Sequence, residues 1–548
     1  MLRRSLFMLK RLISIVLVIV LVAACASTAL AATLRKGSRG SEVTRLQQAL
    51  QALGFYAMKV DGVYGKGTVM AVKAFQQSTG LKADGIAGPQ TQGKLYADSA
   101  SVPQETAPAA AASVPNAQAS PDKLKIGDSG EAVVQLQTKL WYLGYYTAAR
   151  SGIFDAATRT AVQSFQQAKR LSRDGVAGKK TLAALDSAWS AAKTAAGSTP
   201  DEAAALLNRI VVESGAVNGT LVLSKNGKTF LTWSFGGADE NTCYRIASIT
   251  KWVTAIGLMT LYDQGKLDLD RDIGEYLPFK VRNPAFPNVA VTARMLLSHT
   301  SSLSAKANNY HPNWEIISKS YDPLFDESIK PGTKYAYADY NGALFGCLIE
   351  AITGESVQNY LNRTVFQPLG LTAAYSPAFL PSGTAAKDML YTNGRVGISV
   401  ASDRRHSYNN TADPKGNNGY TVGRLYINTA SLTKLARMML NGGELDGVRI
   451  LNSETVSLME ADQPGLAKSP YGLSNVRHSQ FPRGTWYGHQ GRYIGLTSNV
   501  YYQKETGITL ALVMNGYDYK LEDNIVLPAV TLMKNMEMLD TLCNGTAQ

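Results

Sequence analysis

Tyr244-Arg245-Ile246-Ala247-Ser248-Ile249-Thr250-Lys251 runs without a break into Trp252-Val253-Thr254-Ala255-Ile256-Gly257-Leu258-Met259, a stretch that reads as a helix. Ser248 falls at or near its start, with Lys251 one turn on. Residues three apart share a helix face, so the lysine amine can lie against the serine hydroxyl. A serine hydroxyl is a weak nucleophile until a neighbouring base takes its proton. A partly desolvated lysine can stay neutral enough to help. A helix start also favours negative charge forming nearby. Two common residues at this spacing recur often, so their meaning depends on what the rest of the chain brings to them.

The chain has 548 residues, enough for several domains, and its 45% apolar and 18% charged content fits globular folding. The formal net charge is +13, with Arg3, Arg4, Lys10 and Arg11 in a start that carries no acid. These four precede an apolar run, Leu12 to Ala24, and the small-residue site Ala29-Leu30-Ala31. That is the pattern of an export signal over 1–31, which would leave no stable membrane span after cleavage. An uncleaved anchor is one alternative. Lipidation of Cys25 within Val22-Ala23-Ala24-Cys25 is another. A basic exported protein is drawn to anionic surfaces such as a bacterial wall. No basic run or nucleic-acid motif points to a nucleic-acid partner. After cleavage Cys243, Cys347 and Cys543 remain, too few for a disulfide framework, and they are expected as free thiols.

Residues 34–95 repeat at 124–185 with an offset of 90 and no gaps. Leu46-Gln47 matches Leu136-Gln137, Phe75-Gln76-Gln77 matches Phe165-Gln166-Gln167, and Asp84-Gly85 matches Asp174-Gly175. Val43, Leu46, Leu50 and Leu53 share a helical face, as do Val133, Leu136, Leu140 and Leu143. Each copy therefore reads as a small helical bundle. The set Gly-Ser/Asp-x-Gly-x-x-Val-x-x-Leu-Gln, Phe-Gln-Gln and Asp-Gly-x-x-Gly closely resembles the bacterial peptidoglycan-binding domain, a three-helix module. The resemblance implies tethering to peptidoglycan. The modules span 32–96 and 124–187, joined by an Ala/Ser/Pro linker at 97–123, with a second linker at 188–200.

Residues 201–548 are enough for one large domain. Asp201 to Glu213 reads as an amphipathic helix. Asn226-Gly227 between two strand-like runs is a hairpin signal. Strand patterns return at Leu496 to Tyr502 and Ile508 to Met514. Strands at both ends with helices between predict one antiparallel sheet interrupted by a helical insertion. The fold class is thus two all-α modules followed by an α/β (α+β) domain.

Three further islands complete the picture: Leu296-Leu297-Ser298-His299-Thr300-Ser301-Ser302-Leu303, Pro331 to Gly342, and Tyr487-Gly488-His489-Gln490-Gly491-Arg492. With Ser248-x-x-Lys251, and in this order, they resemble the serine β-lactamase and penicillin-binding family, most of all its class C, DD-peptidase and esterase branch. The resemblance implies Ser248 as acylated nucleophile, Lys251 as tuner of its proton transfer, and Tyr337 as base and then acid. Asp339 stands in the asparagine place of Tyr-x-Asn, and His489-Gln490-Gly491 in that of Lys-Thr-Gly. The N–H groups of Ser248 and Arg492 would form an oxyanion hole, and Gly491 would let substrate approach the strand edge. A tyrosine beside two positive groups can have its pKa lowered. His299 reads as structural, holding a loop under the site. No histidines pair at metal-ligand spacing, so neither metal nor cofactor is expected.

Asp339 offers an acceptor where the family has an amide donor, and could accept from Lys251 and hold it charged. His489, neutral or only partly charged near pH 7, would hold a substrate carboxylate more weakly than lysine does. Ser302 replaces a glycine. The resulting expectation is an exported, wall-tethered serine hydrolase acting on a small peptide or ester, DD-carboxypeptidase-like or esterase-like. The alternatives are a catalytically idle wall-binding protein and a secreted β-lactamase acting on β-lactams.

Overall fold

The computed structural model describes residues 33–53, 55–56, 60–100, 122–304, 324–405, 410–415, 419–463, 471–517, 520–522 and 524–544. The expected export signal, Cys25 and most of the 97–123 linker lie outside them. The chain divides into two units, Met1–Ala192 and Lys193–Gln548. Among the described residues no helix is long and apolar enough to cross a membrane.

Each module is three helices: Ser41–Ala52, Lys66–Ser78 and Pro89–Ala100 in the first, Glu131–Tyr142, Ala156–Ala168 and Lys179–Ala196 in the second. The repeated leucines, valines and phenylalanine form the two cores. The repeated glutamines do something apolar residues cannot. Gln47 is fully buried, and its Nε2 donates to Tyr56, Asp61, Val63 and Thr68. Its Oε1 accepts the N–H of Gly62 at 2.9 Å. Gln137 repeats the arrangement with Tyr146, Ile153, Thr158 and Gly152. Gln76 and Gln166 pin the Asp-Gly turns in the same way. A primary amide has both donors and acceptors, so one buried side chain satisfies a whole turn. The helix starting at Lys179 runs on to Ala196, through most of the expected second linker. Its alanines favour helix, and Gly197, at φ +54°, ends it.

The larger unit is built on a six-stranded antiparallel sheet. Its strand order is Val476–His478, Trp486–Tyr493, Leu496–Gln503, Ile508–Asn515, Asn218–Lys225 and Lys228–Phe235. The hairpin at Asn226-Gly227 forms as its sequence predicts, both residues having positive φ. Every residue of Leu496–Gln503 and Ile508–Asn515 is buried, so these central strands are covered on both faces. The Thr429–Leu440 helix packs on the central strands, while Asp201–Ser214 and Met536–Asn544 pack together at the Lys228–Phe235 edge. The Trp486–Tyr493 strand is longer than its sequence suggested. Gly488, Gln490 and Gly491 have low strand propensity, but pairing with Leu496–Gln503 along the full length overrides it.

At the centre of the helical insertion lies Ile249–Asp263, buried on all sides over residues 249–261. Cys243 and Cys347 are free and buried, and Cys543 is free and half-buried.

Candidate active site

Ser248 caps the Ile249–Asp263 helix and is half-buried at its head. The residue before it, Ala247, has φ +48°, a left-handed conformation that costs energy in a residue with a Cβ. Tertiary contacts hold the turn. Ile246 donates its N–H to Leu425 and accepts from the Ser498 hydroxyl at 2.7 Å.

One turn along, the fully buried Lys251 places Nζ 3.1 Å from Ser248 Oγ, 2.8 Å from the Val422 carbonyl and 2.6 Å from Asp339 Oδ1. Nζ also lies 5.5 Å from the centre of the Tyr337 ring. Burial alone would lower the amine's pKa, but the Tyr337 phenol and the Asp339 carboxylate outweigh it and hold the pKa above its ordinary value. Lys251 is therefore a charged donor. Of the two expectations, a partly neutral lysine and one held charged by Asp339, this favours the second: desolvation is real, but a carboxylate in contact reverses its consequence. Gly342, one turn into the Asp339–Thr353 helix, makes room for the lysine stem. A Cβ there would lie 2.7 Å from Lys251 Cγ.

Tyr337 stacks on His299 at 4.2 Å between ring centres. His299 has φ +55°, is fully buried, and accepts the Ala338 N–H on Nδ1 at 3.2 Å. Asn341 Nδ2 meets the same nitrogen at 2.9 Å and donates to the Ala338 carbonyl, while its Oδ1 accepts from Ser301. His299 and Asn341 thus clamp the loop that carries Tyr337 and Asp339. Asn341 was not singled out by sequence reasoning, because a buried amide two residues past the motif leaves no pattern. Ser302 has φ +61°, which explains the family's glycine. Here its hydroxyl accepts from Asn283 at 3.0 Å instead.

His489 is buried on the Trp486–Tyr493 strand. Its Nδ1 lies 2.7 Å from the Gln490 carbonyl and its Nε2 3.3 Å from the Tyr471 hydroxyl. A carbonyl can only accept, so Nδ1 carries the proton and Nε2 is the acceptor. Burial drives the pKa down to about 3. His489 is therefore neutral, and the expectation of a tyrosine between two positive groups reduces to one such group, Lys251. Tyr471, which sequence reasoning missed, joins the parts: its ring meets those of His299, Tyr335 and His489 at 5.2, 5.2 and 5.8 Å. Nothing but its aromatic type marks it in the sequence.

Gly491 sits directly against the nucleophile's turn. A Cβ there would lie 2.3 Å from the Ile246 carbonyl and 3.0 Å from the Ser248 nitrogen. The glycine is thus demanded by the protein's own backbone, beyond any need to admit substrate. Arg492, next along the strand, is exposed.

The Beta-lactamase family profile matches residues 203–529, more than half of the chain. The chain belongs to the Beta-lactamase family. The profile of the Putative peptidoglycan binding domain matches 39–95 and 129–185. Among curated relatives, a Putative D-alanyl-D-alanine carboxypeptidase of Escherichia coli K12 is 29% identical over 250 residues, 40% of this chain and 56% of that protein. A Probable N-acetylmuramoyl-L-alanine amidase of Bacillus licheniformis is 40% identical over 164 residues, 28% of this chain and 44% of that protein. The chain thus spans about half the length of the curated relatives it matches. An octameric penicillin-binding protein homologue from Pyrococcus abyssi aligns with TM-score 0.48 and 22% identity, over 61% of this chain and 75% of that one.

Proposed function

We propose that this Beta-lactamase-family chain is an exported serine hydrolase, held at the cell wall by its two modules, that cleaves amides or esters of wall material through an acyl-serine. The observation that carries the reading is the cluster at Ser248, where a charged lysine touches the nucleophile and a phenol lies beside that lysine.

In this reading Tyr337 acts as its phenolate, having given its own proton to solvent, and accepts the Ser248 proton as Oγ attacks the carbonyl carbon. Lys251, kept charged by Asp339, steadies the negative charge that passes through the phenol and hydroxyl. The oxyanion is met by the N–H groups of Ser248 and Arg492, a contribution worth on the order of 3 kcal/mol per donor in comparable sites. Tyr337 then returns its proton to the leaving amine or alcohol, and water repeats the sequence to release the acid. Metal-free acid–base and nucleophilic steps of this kind need nothing beyond these side chains and water.

The state of His489 bears on the leaving group. A neutral imidazole whose Nε2 accepts from Tyr471 offers no donor to a terminal carboxylate there. An ester or an internal amide fits better than a C-terminal D-amino acid. A fluorophosphonate and a fluorescent penicillin test the reading. Labelling that disappears in Ser248→Ala supports a hydrolase, whereas no labelling by either supports the idle wall-binding alternative. Incubation with purified wall fragments, assayed for released acetate, peptide or D-alanine, then identifies the bond cleaved.

A further inference from the structure

The strand that carries His489 ends at Tyr493, about 13 Å further on at ordinary strand rise. Beside that end opens a cleft of about 410 Å³, lined by Arg245, Val396, Ile398, Ser402, Arg424 and Tyr493 among others. Arg245 lies three residues before Ser248. Arg424 lies two residues after Val422, whose carbonyl holds Lys251. Gly423 packs on the turn of the nucleophile, with room for a Cβ only at 3.5 Å from Ala247 Cα. The cleft therefore adjoins the Ser248 turn.

Its two guanidiniums are not equivalent. Arg245 donates to Asp403 at 3.2 Å and to the Gly423 carbonyl at 3.1 Å, and the Tyr426 hydroxyl donates to the same carboxylate oxygen at 2.7 Å. Asp403, which also lines the cleft, takes both donors on Oδ2 and so pairs with Arg245. Arg424 is half-buried, lies over the Tyr420 ring at 5.0 Å, and has no ion-pair partner among the described residues. Val396 and Tyr493 are apolar surfaces left about half exposed at the rim, and Ile398 continues that wall. The cleft thus combines an apolar wall, hydroxyls, the Arg245–Asp403 pair and, in Arg424, one planar cation in excess of it. A planar guanidinium matches a carboxylate through two parallel N–H bonds.

We propose that this cleft takes an aliphatic side chain ending in a carboxylate, carried by the acyl portion of the substrate, with Arg424 as the residue that selects it. The proposal rests on the hydrolase reading only for the word substrate. The cleft itself is a binding site whether or not Ser248 turns over. It also relocates the anion recognition that His489 does not supply: the negative group lies on the acyl side of the strand, beyond Arg492.

The test uses the full chain carrying Ser248→Ala, which binds without turnover. The probes are N-glutaryl-D-alaninamide, whose five-carbon chain ends in a carboxylate, and its carboxamide analogue. The expected result is that the carboxylate binds about tenfold more tightly, and that adding Arg424→Gln brings the two within about twofold, the scale of one charge-assisted pair. Should Arg424→Gln fail to fold, Arg424→Lys keeps the charge without the fork and should lose most of the preference. Equal affinity for the two probes, no binding of either, or a preference that survives both Arg424 substitutions overturns the proposal. Tighter binding of inorganic phosphate than of the carboxylate probe overturns the assignment to a carboxylate. Fluorophosphonate labelling of the unsubstituted chain is read separately: its absence, with the carboxylate preference intact, sinks the hydrolase and leaves the cleft standing.

Discussion

Acid should weaken the larger unit through its buried histidines, and His478 measures the effect without touching the proposed chemistry. Its ring is buried edge-on to Phe481 and Tyr501, at 6.4 and 5.5 Å, and burial lowers its pKa from 6.5 to about 4. A group that binds its proton less readily folded than unfolded contributes stability that is complete above about pH 6.5 and is lost as pH falls toward 4. Between pH 7 and pH 5 the loss is about 1.5 units at about 1.4 kcal/mol per unit, hence about 2 kcal/mol. His489, lowered to about 3, and His299, lowered well below its ordinary value, act in the same direction. All five histidines of the chain lie after residue 200, so the two modules should not share the effect. The experiment is urea unfolding of the full chain and of His478→Phe at pH 7 and pH 5, followed by tryptophan fluorescence. Packing changes caused by the substitution are common to both pH values and cancel in the difference. With a urea slope of about 3 kcal/mol per molar, the midpoint of the parent should fall by about 0.6 M more than that of the variant. Equal falls in the two proteins would refute the argument.

Four further outcomes follow from the geometry. Asp339→Asn removes the carboxylate that opposes burial at Lys251, so the lysine pKa should drop. The rate of Ser248 labelling should then lose its alkaline limb at lower pH than in the parent. Gly342→Ala drives a methyl into the Lys251 stem, and a displacement of about 1 Å in a reacting group can cost about 100-fold, so labelling should slow on that scale while the circular dichroism spectrum is kept. His489 should leave no inflection near pH 6.5 in the labelling rate, because its proton is gained only near pH 3. Gln47→Leu strands the buried partners of the Asp61-Gly62 turn, each at about 1–3 kcal/mol, so hydrogen exchange over 41–95 should accelerate while 131–185 stays protected.

What the sequence revealed, and what it hid, divides along a physical line. Periodicity in the repeats, the Asn226-Gly227 turn and the apolar Ile249–Asp263 helix are local, and each was legible because neighbouring residues alone determine it. The Trp486–Tyr493 strand was only half legible, since its glycines argue against a strand and only a partner strand from elsewhere in the chain argues for it. The electrostatics were least legible. The sequence places Lys251 in an apolar helix, which suggests a depressed amine, and offers Asp339 as an opposing carboxylate; only the contact between residues 88 positions apart decides between them. The same holds for His489: its tautomer depends on the carbonyl one residue on and on the hydroxyl of Tyr471, a residue no motif marks. Motif spacing can say which side chains converge. The protons those side chains carry are set by partners that only the fold supplies, and here those partners favour the charged one of the two states expected of Lys251 and the neutral one of those expected of His489. Both outcomes act in one direction: they take the general-base role from the Lys251 amine and leave it, in this reading, to the phenolate form of Tyr337. Substitution of Tyr337 by phenylalanine should therefore suppress acylation more than any change at His489.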